Sequence, residues 1–159
     1  MPETTPPNPL VGQPAPHFSL PASTGKTVDS NDLKGQTFVL YFYPRADTPG
    51  CTVEACGFRD AIASYKKLGV PVFGISPDPV KDVTKFAEKF DLNFPLLADA
   101  DHAVCEAYGV WQEKSMYGKK YWGAARNTFI IAPDGRVSRV FEKVKPEGHD
   151  KEVLEFLSK

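Results

Sequence analysis

The 159 residues include only three cysteines and three histidines, and that scarcity excludes several classes. A disulfide-stapled secreted domain shows a dense, even set of cysteines, not a sparse odd one. The C-x-x-C pair of a zinc knuckle or a thioredoxin-type dithiol is missing. No histidine stands beside a cysteine, so neither a metal nor another cofactor is expected. No basic block occurs: 19 Lys and Arg face 20 Asp and Glu, which removes the electrostatic case for nucleic acid or an anionic membrane. No apolar run approaches the roughly 18 residues of a membrane span. The opening "MPETTPPNPLVGQPAP" has neither the cationic start nor the apolar stretch of a signal peptide. The expected setting is reducing and cytoplasmic, where close cysteines are more often reactive than structural.

What is present suffices for one compact domain, since 42% of the residues are hydrophobic and a chain of this length can bury a core without staples. Residues 1–12, rich in proline, read as a flexible arm, and 13–159 as a single domain. "HFSLPASTGKTVDS" reads as two short strands about a turn at Thr24-Gly25, and "SNDLKG" as one helical turn ended by Gly35. Thr37 to Pro44 is a β-branched and aromatic run, apolar on both faces, as a central strand is. Thr48 then supplies an N-cap and Pro49 a first helical residue. The following helix places Val53, Phe58, Ile62, Tyr65 and Leu68 on one face and stops at Gly69. "VPVFGIS" is a second buried strand, Asp78 to Phe90 a helix, "NFPLLAD" a short edge strand, and "ADHAVCEAYG" a helix of about two turns. Trp111, Tyr117, Tyr121 and Trp122 mark an aromatic-rich loop, read as loop packing, with a pocket wall or a docking surface as the functional alternative. "NTFIIAPDGRVSRVFE" is a hairpin about Pro133-Asp134-Gly135, and "DKEVLEFLSK" a closing helix. Alternating strands and helices predict an α/β fold, a mixed central sheet flanked by helices.

Two of the three cysteines, Cys51 and Cys56, lie five positions apart in that first helix. Five residues of α-helix put their Cα atoms about 8–9 Å apart, beyond the roughly 4.4–6.8 Å of a relaxed disulfide. The bond can form only if the first turns unwind, which makes it conditional. With Thr48 as N-cap, Cys51 is the third helical residue. There the free N–H groups and the positive end of the helix dipole favour a thiolate. A thiolate attacks peroxide oxygen, and the sulfenic acid so formed condenses with a thiol in reach, here Cys56. Gly50 and Gly57 weaken the helix around the pair. Cys105, in the apolar "HAVCEAYGV", reads as a core cysteine and is the second choice as resolving thiol. The histidines read as surface or packing residues, and Arg45 as solvent-facing.

Pro44-x-x-x-Thr48-x-x-Cys51 resembles the active-site motif of peroxiredoxins. The longer "YFYPRADTPGCTVEACGFRD" is similar to the peroxiredoxin Q, or bacterioferritin-comigratory-protein, subfamily. The likeness continues through "PAPHFSLP", "GVPVFGISPD", "FPLLADADHAVCEAYGVW" and "RNTFIIAPDGRV". The resemblance implies a thioredoxin-like fold with an N-terminal β-hairpin addition. It implies reduction of hydrogen peroxide and alkyl hydroperoxides by Cys51 as the peroxidatic thiol. Cys56 would resolve the sulfenic acid to an intramolecular disulfide, and thioredoxin would reduce it. Thr48 would hydrogen-bond the peroxide and thiolate, Pro44 would shield the sulfur from water, and Arg126 would reach in from a distant strand. Glu54 would buttress the arginines, and the backbone N–H of Gly50 or Cys51 would help hold the peroxide. The resemblance also implies a monomer or a weak homodimer. Two other readings remain open on the residues alone: a redox-controlled chaperone exposing Phe58 on unwinding, and a disulfide reductase, against which the missing C-x-x-C counts.

Overall fold

The structure is a computed structural model and describes residues 8–158. Its centre is a five-stranded mixed sheet in the order β5-β4-β3-β8-β9. β3 (Phe38–Phe42) is the middle strand, parallel to β4 (Val72–Ser76) and antiparallel to β8 (Thr128–Ile131). β5 (Leu96–Ala98) and β9 (Val137–Phe141) form the edges. Every residue of β3 is buried, because layers cover both faces. Phe38, Leu40 and Phe42 point into one apolar cluster, Val39, Tyr41 and Tyr43 into the other, as the period of two requires.

The second of these clusters holds α1 (Pro49–Lys67), α2 (Val80–Lys89) and α4 (His149–Leu157) against the sheet through Phe58, Tyr65, Val83, Phe86 and Val153. The opposite face carries the hairpin β1 (Ser19–Pro21)–β2 (Thr27–Asp29), the 3-10 turn over Ser30–Leu33, and α3 (Ala103–Ala107). The mixed α/β sheet and the added hairpin agree with the expectation. No helix among the described residues is long and apolar enough to cross a membrane.

Four local expectations differ from what is observed. Residues 1–7 of the expected arm lie outside the described residues, but from Asn8 onward the backbone is tied to the body. Gly12 N–H donates to Val137 O, Val137 N–H to Gln13 O, and Val11 bridges Val137. The helix "ADHAVCEAYG" is shorter than two turns: His102 takes a left-handed φ of 53°, and the buried Asp99 carboxylate accepts from the N–H groups of Val104 and Cys105. The aromatic-rich segment is no loop but a hairpin, β6 (Trp111–Met116) with β7 (Lys119–Ala124). Its turn sets Tyr117 and Gly118 at φ 51° and 78°, the left-handed pair of a two-residue hairpin turn. On α1 Val53 is exposed, as is Leu68 at its C-cap, and the buried stripe is Cys51, Glu54, Ala55, Phe58 and Tyr65.

Gly74 of β4 shows how closely the layers meet. A Cβ there would lie 2.8 Å from Cζ and Oη of Tyr41 and 2.9 Å from Cδ2 of Leu96. Tyr41 is itself stacked on Phe58, ring centroids 4.7 Å apart. Gly74→Ala is therefore expected to cost about 1–3 kcal/mol by overpacking, read as a lower urea midpoint at constant m. An unchanged midpoint would mean that the Tyr41 ring yields freely.

Candidate active site

The sheet register builds the site. Tyr41 of β3 pairs with Thr128 of β8, and Phe42 N–H donates to Asn127 O. The chain just before β8 therefore lies beside the C-terminal end of β3, where α1 begins. This brings Arg126 to Cys51, although 75 positions separate them. Arg126 Nη2 lies 3.4 Å from Cys51 Sγ, and Nη1 donates to Glu54 Oε1 at 2.8 Å. Cys51 and Glu54 are i and i+3 on α1, so one guanidinium spans one helical turn. Both are buried, at 1% exposure each.

Thr48 occupies the N-cap position, with its C=O accepting from Thr52 N–H, but its side chain makes no cap bond. Its hydroxyl donates instead to Arg45 O at 3.0 Å. The hydroxyl proton thus goes to the loop backbone, and the Oγ lone pairs are left. Asp78 anchors the same loop, its Oδ2 accepting from Ala46 N–H at 2.7 Å and from Ser76 Oγ at 2.8 Å. Lys89 pairs with Asp47 from outside at 2.9 Å. Pro44 is half-buried, and Arg45 is exposed.

Both glycines flanking the cysteine pair have packing reasons for their small size. A Cβ at Gly50 would lie 3.1 Å from Arg126 Nη2, so the guanidinium rests on the bare backbone there. A Cβ at Gly57 would lie 2.7 Å from Asp150 Oδ1, where α4 crosses α1. Cys56 is half-buried, and α1 is continuous through both cysteines, each a free thiol. Cys105 is buried in the apolar cluster on the opposite face of the sheet from Cys51. Burial, and then the Asp99 carboxylate, push its thiol well above the usual range.

A cleft of about 600 Å³ opens over the loop, with Pro44, Arg45 and Thr48 on one side and Trp111, Lys114 and Tyr121 of the hairpin on the other. His102 stacks flat on Trp111, ring centroids 4.0 Å apart, and pins the hairpin to the body. Lys114, Asp78 and Ser76 were not singled out from the sequence. Nothing in a single sequence distinguishes Lys114 from the neighbouring Lys119 and Lys120.

The AhpC/TSA family matches residues 11–140. The chain is 51% identical to peroxiredoxin Bcp of Escherichia coli over 94% of its own length and 97% of that protein's. It is 45% identical to peroxiredoxin Bcp of Bacillus subtilis, over 92% and 94% of the two chains. The chain belongs to the AhpC/TSA family, in its peroxiredoxin Q group. Among solved structures, Xanthomonas campestris peroxiredoxin Q superposes with a TM-score of 0.84 at 39% identity, over 89% of each chain. The bacterioferritin comigratory protein of that organism, studied for its alkyl peroxide reduction activity, gives 0.84 at 38% identity, over 89% of this chain and 90% of that one. The fold is accordingly the thioredoxin-like fold of peroxiredoxins, and the enzyme is a thiol-dependent peroxidase that acts on peroxides and is restored by a thiol reductant.

The buried Glu54 gives this peroxiredoxin a measurable signature. Burial pushes its carboxyl up to about 7, against the opposing pull of Arg126. A carboxyl raised in the folded state keeps its proton to higher pH than in the unfolded chain. The stabilisation so gained is full below the ordinary value of 4.5 and is lost as pH rises through about 7. Stability should therefore fall relative to Glu54→Gln by about 3 kcal/mol between those limits, measured by urea unfolding across the pH range. Parallel profiles for the two proteins would show that Glu54 ionises normally.

Proposed function

We propose that Cys51 is the peroxidatic thiol of a peroxiredoxin that reduces hydrogen peroxide and alkyl hydroperoxides, and that Cys56 is its resolving thiol. The observation that carries this reading is the Arg126 guanidinium held between Cys51 Sγ and Glu54. A fixed guanidinium stabilises negative charge on the sulfur and the charge that builds on the peroxide oxygens during attack. The thiolate attacks the terminal peroxide oxygen, the S–O bond forms, and the O–O bond breaks. The products are a sulfenic acid on Cys51 and water or an alcohol once the leaving oxygen gains a proton.

The first-turn N–H groups of α1, those of Gly50 and Cys51 among them, are directed at the substrate end of the helix. The Thr48 hydroxyl, already donating to Arg45 O, accepts a hydrogen bond from the peroxide O–H. Pro44 covers the sulfur on the cleft side. Cys56 then attacks the sulfenic sulfur and expels water, giving an intramolecular disulfide that thioredoxin or a similar dithiol reduces by exchange. A reducing, cytoplasmic setting suits that cycle.

The intact α1 keeps the two thiols apart, so resolution requires the first turns of the helix to unwind. Cys105 is a poor substitute resolver, since the sheet lies between it and Cys51 and its thiol is held protonated by burial.

Cys51→Ser should abolish peroxide consumption, and turnover that survives the substitution would overturn the proposal. Cys56→Ser should consume one equivalent of peroxide and then stop, intact mass showing one added oxygen and thioredoxin failing to sustain the cycle. Sustained cycling by Cys56→Ser would assign resolution to another thiol.

A further inference from the structure

The peroxidase step needs a proton for the oxygen that leaves, and the residues placed on Cys51 do not supply one. The Thr48 hydroxyl proton is committed to Arg45 O. Arg126 spends Nη1 on Glu54 and Nη2 on Cys51, and a guanidinium does not release protons in proteins. Arg45, at the mouth of the cleft, is another guanidinium. For hydrogen peroxide the leaving group is hydroxide, itself a strong base. For an alkyl hydroperoxide the leaving group is an alkoxide, a strong base that departs slowly unless protonated as the O–O bond breaks.

Lys114 stands where such a proton would come from. It projects from β6 into the cleft that Pro44 and Thr48 line from the opposite side. Its ammonium donates to Ala124 O, two residues before Arg126, which leaves two of its three N–H groups free. Its stem runs across Gly123, with Cδ 3.6 Å from where a side chain there would begin. Lys119 and Lys120 of the same hairpin are exposed, whereas Lys114 is half-buried. Burial, then the charge of Arg126, draw its ammonium below the usual lysine range, while Cys51 acts in the opposite sense. That combination yields a readier acid that both active-site charges can feel.

We infer that Lys114 is the general acid of peroxide cleavage, giving its proton to the alkoxide oxygen as Cys51 takes the terminal oxygen. The inference rests on the peroxidase reading of Cys51. The sulfur supplies the electron pair for the new S–O bond. The O–O pair leaves on the alkoxide oxygen, which takes the ammonium proton and departs as alcohol. The neutral amine recovers a proton from solvent through the open cleft.

Leaving-group dependence separates this role from a structural one. A peroxy acid loses a carboxylate, which needs no proton, whereas tert-butyl hydroperoxide loses a tert-butoxide, which does. Lys114→Met should slow single-turnover reduction of tert-butyl hydroperoxide by roughly a hundredfold while changing that of peracetic acid by about twofold or less. Lys114→Arg, which keeps the charge and loses the acid, should show the same split. Retained peracetic acid turnover also certifies that the variants are folded with Cys51 intact. Equal losses on both peroxides, no loss on either, or restoration of the alkyl hydroperoxide rate by Lys114→Arg would each overturn the assignment. So would the same split in His102→Gln with none in Lys114→Met. If the wild-type protein consumes neither peroxide, the peroxidase reading itself fails, an outcome plainly distinct from these.

Discussion

The ion pair between Arg126 and Glu54 is the interaction on which the site depends. A carboxylate buried to 1% exposure and a guanidinium beside it are each costly to remove from water, and neither is tolerable there alone. Together they offset part of that cost, the Glu54 carboxyl still being pushed up to about 7, and they leave one edge of the guanidinium facing Cys51. The pair in turn depends on the antiparallel register of β3 and β8, because a slip of one residue would turn every side chain of β8 to the other face. The site is therefore as precisely placed as the middle of the sheet, although two of its members lie on a helix and the third on a connecting segment.

Under the proposed cycle, the same helix must serve two incompatible requirements. Intact, it buries Cys51 and keeps Cys56 about a turn and a half away; opened, as the proposed cycle requires, it would let the sulfurs meet. The division falls at Gly57. From there onward α4 clamps α1: Asp150 lies against Gly57, Tyr65 Oη donates to Asp150 O, and Phe58 packs edge-on against His149. His149 is itself fixed by Thr128 of β8 and by Glu152. Before Gly57, α1 is held by its own backbone bonds, by Arg126, and by the burial of Cys51, Glu54 and Ala55. Opening that portion gives up buried contacts and the bridge to Arg126 without undocking the rest of the helix. In the proposed cycle the oxidised form alone has a new S–S bond to set against that loss.

The core strands, the long helix, the closing hairpin and the two nearby cysteines were legible in the sequence because each writes its own periodicity or spacing. What was not legible had to be assembled across the fold. Val53 fits an apolar helical stripe by spacing, yet the buried positions of the first turns go to Cys51 and Glu54, which no hydrophobicity pattern selects. The β6–β7 hairpin has neither an Asn-Gly nor an Asp-Gly turn. Most of its side chains are exposed, so it lacks the alternation that marks a half-buried strand. Gly50 and Gly57 look like helix-weakening residues locally, but the atoms that require their small size belong to residues 76 and 93 positions away. Arg126 was singled out through family likeness; its reason is the β3–β8 register, which one chain read by itself does not reveal.

A last feature of the site concerns polar atoms rather than charges. Tyr41 Oη, Tyr43 Oη and Glu54 Oε2 are the buried side-chain oxygens and nitrogens without a hydrogen-bond partner among the described residues. Ser76 lies near Tyr43 but gives its own proton to Asp78. All three residues share the apolar face of the sheet that holds Cys51, and the charges of both Cys51 and Glu54 act on both tyrosines. An unsatisfied buried polar group costs about 1–3 kcal/mol, and native structures tolerate few of them. Tyr41, Tyr43 and Cys51 belong to one buried cluster, with Glu54 on the same helix as Cys51. Burial of Cys51 and Glu54 weakens the screening between Arg126, Glu54 and the sulfur, so each charge acts on the others more strongly than it would in water. The cost of burying Glu54 and the strong field at Cys51 are thus one physical arrangement: exposing the pair to solvent would relieve the first and weaken the second.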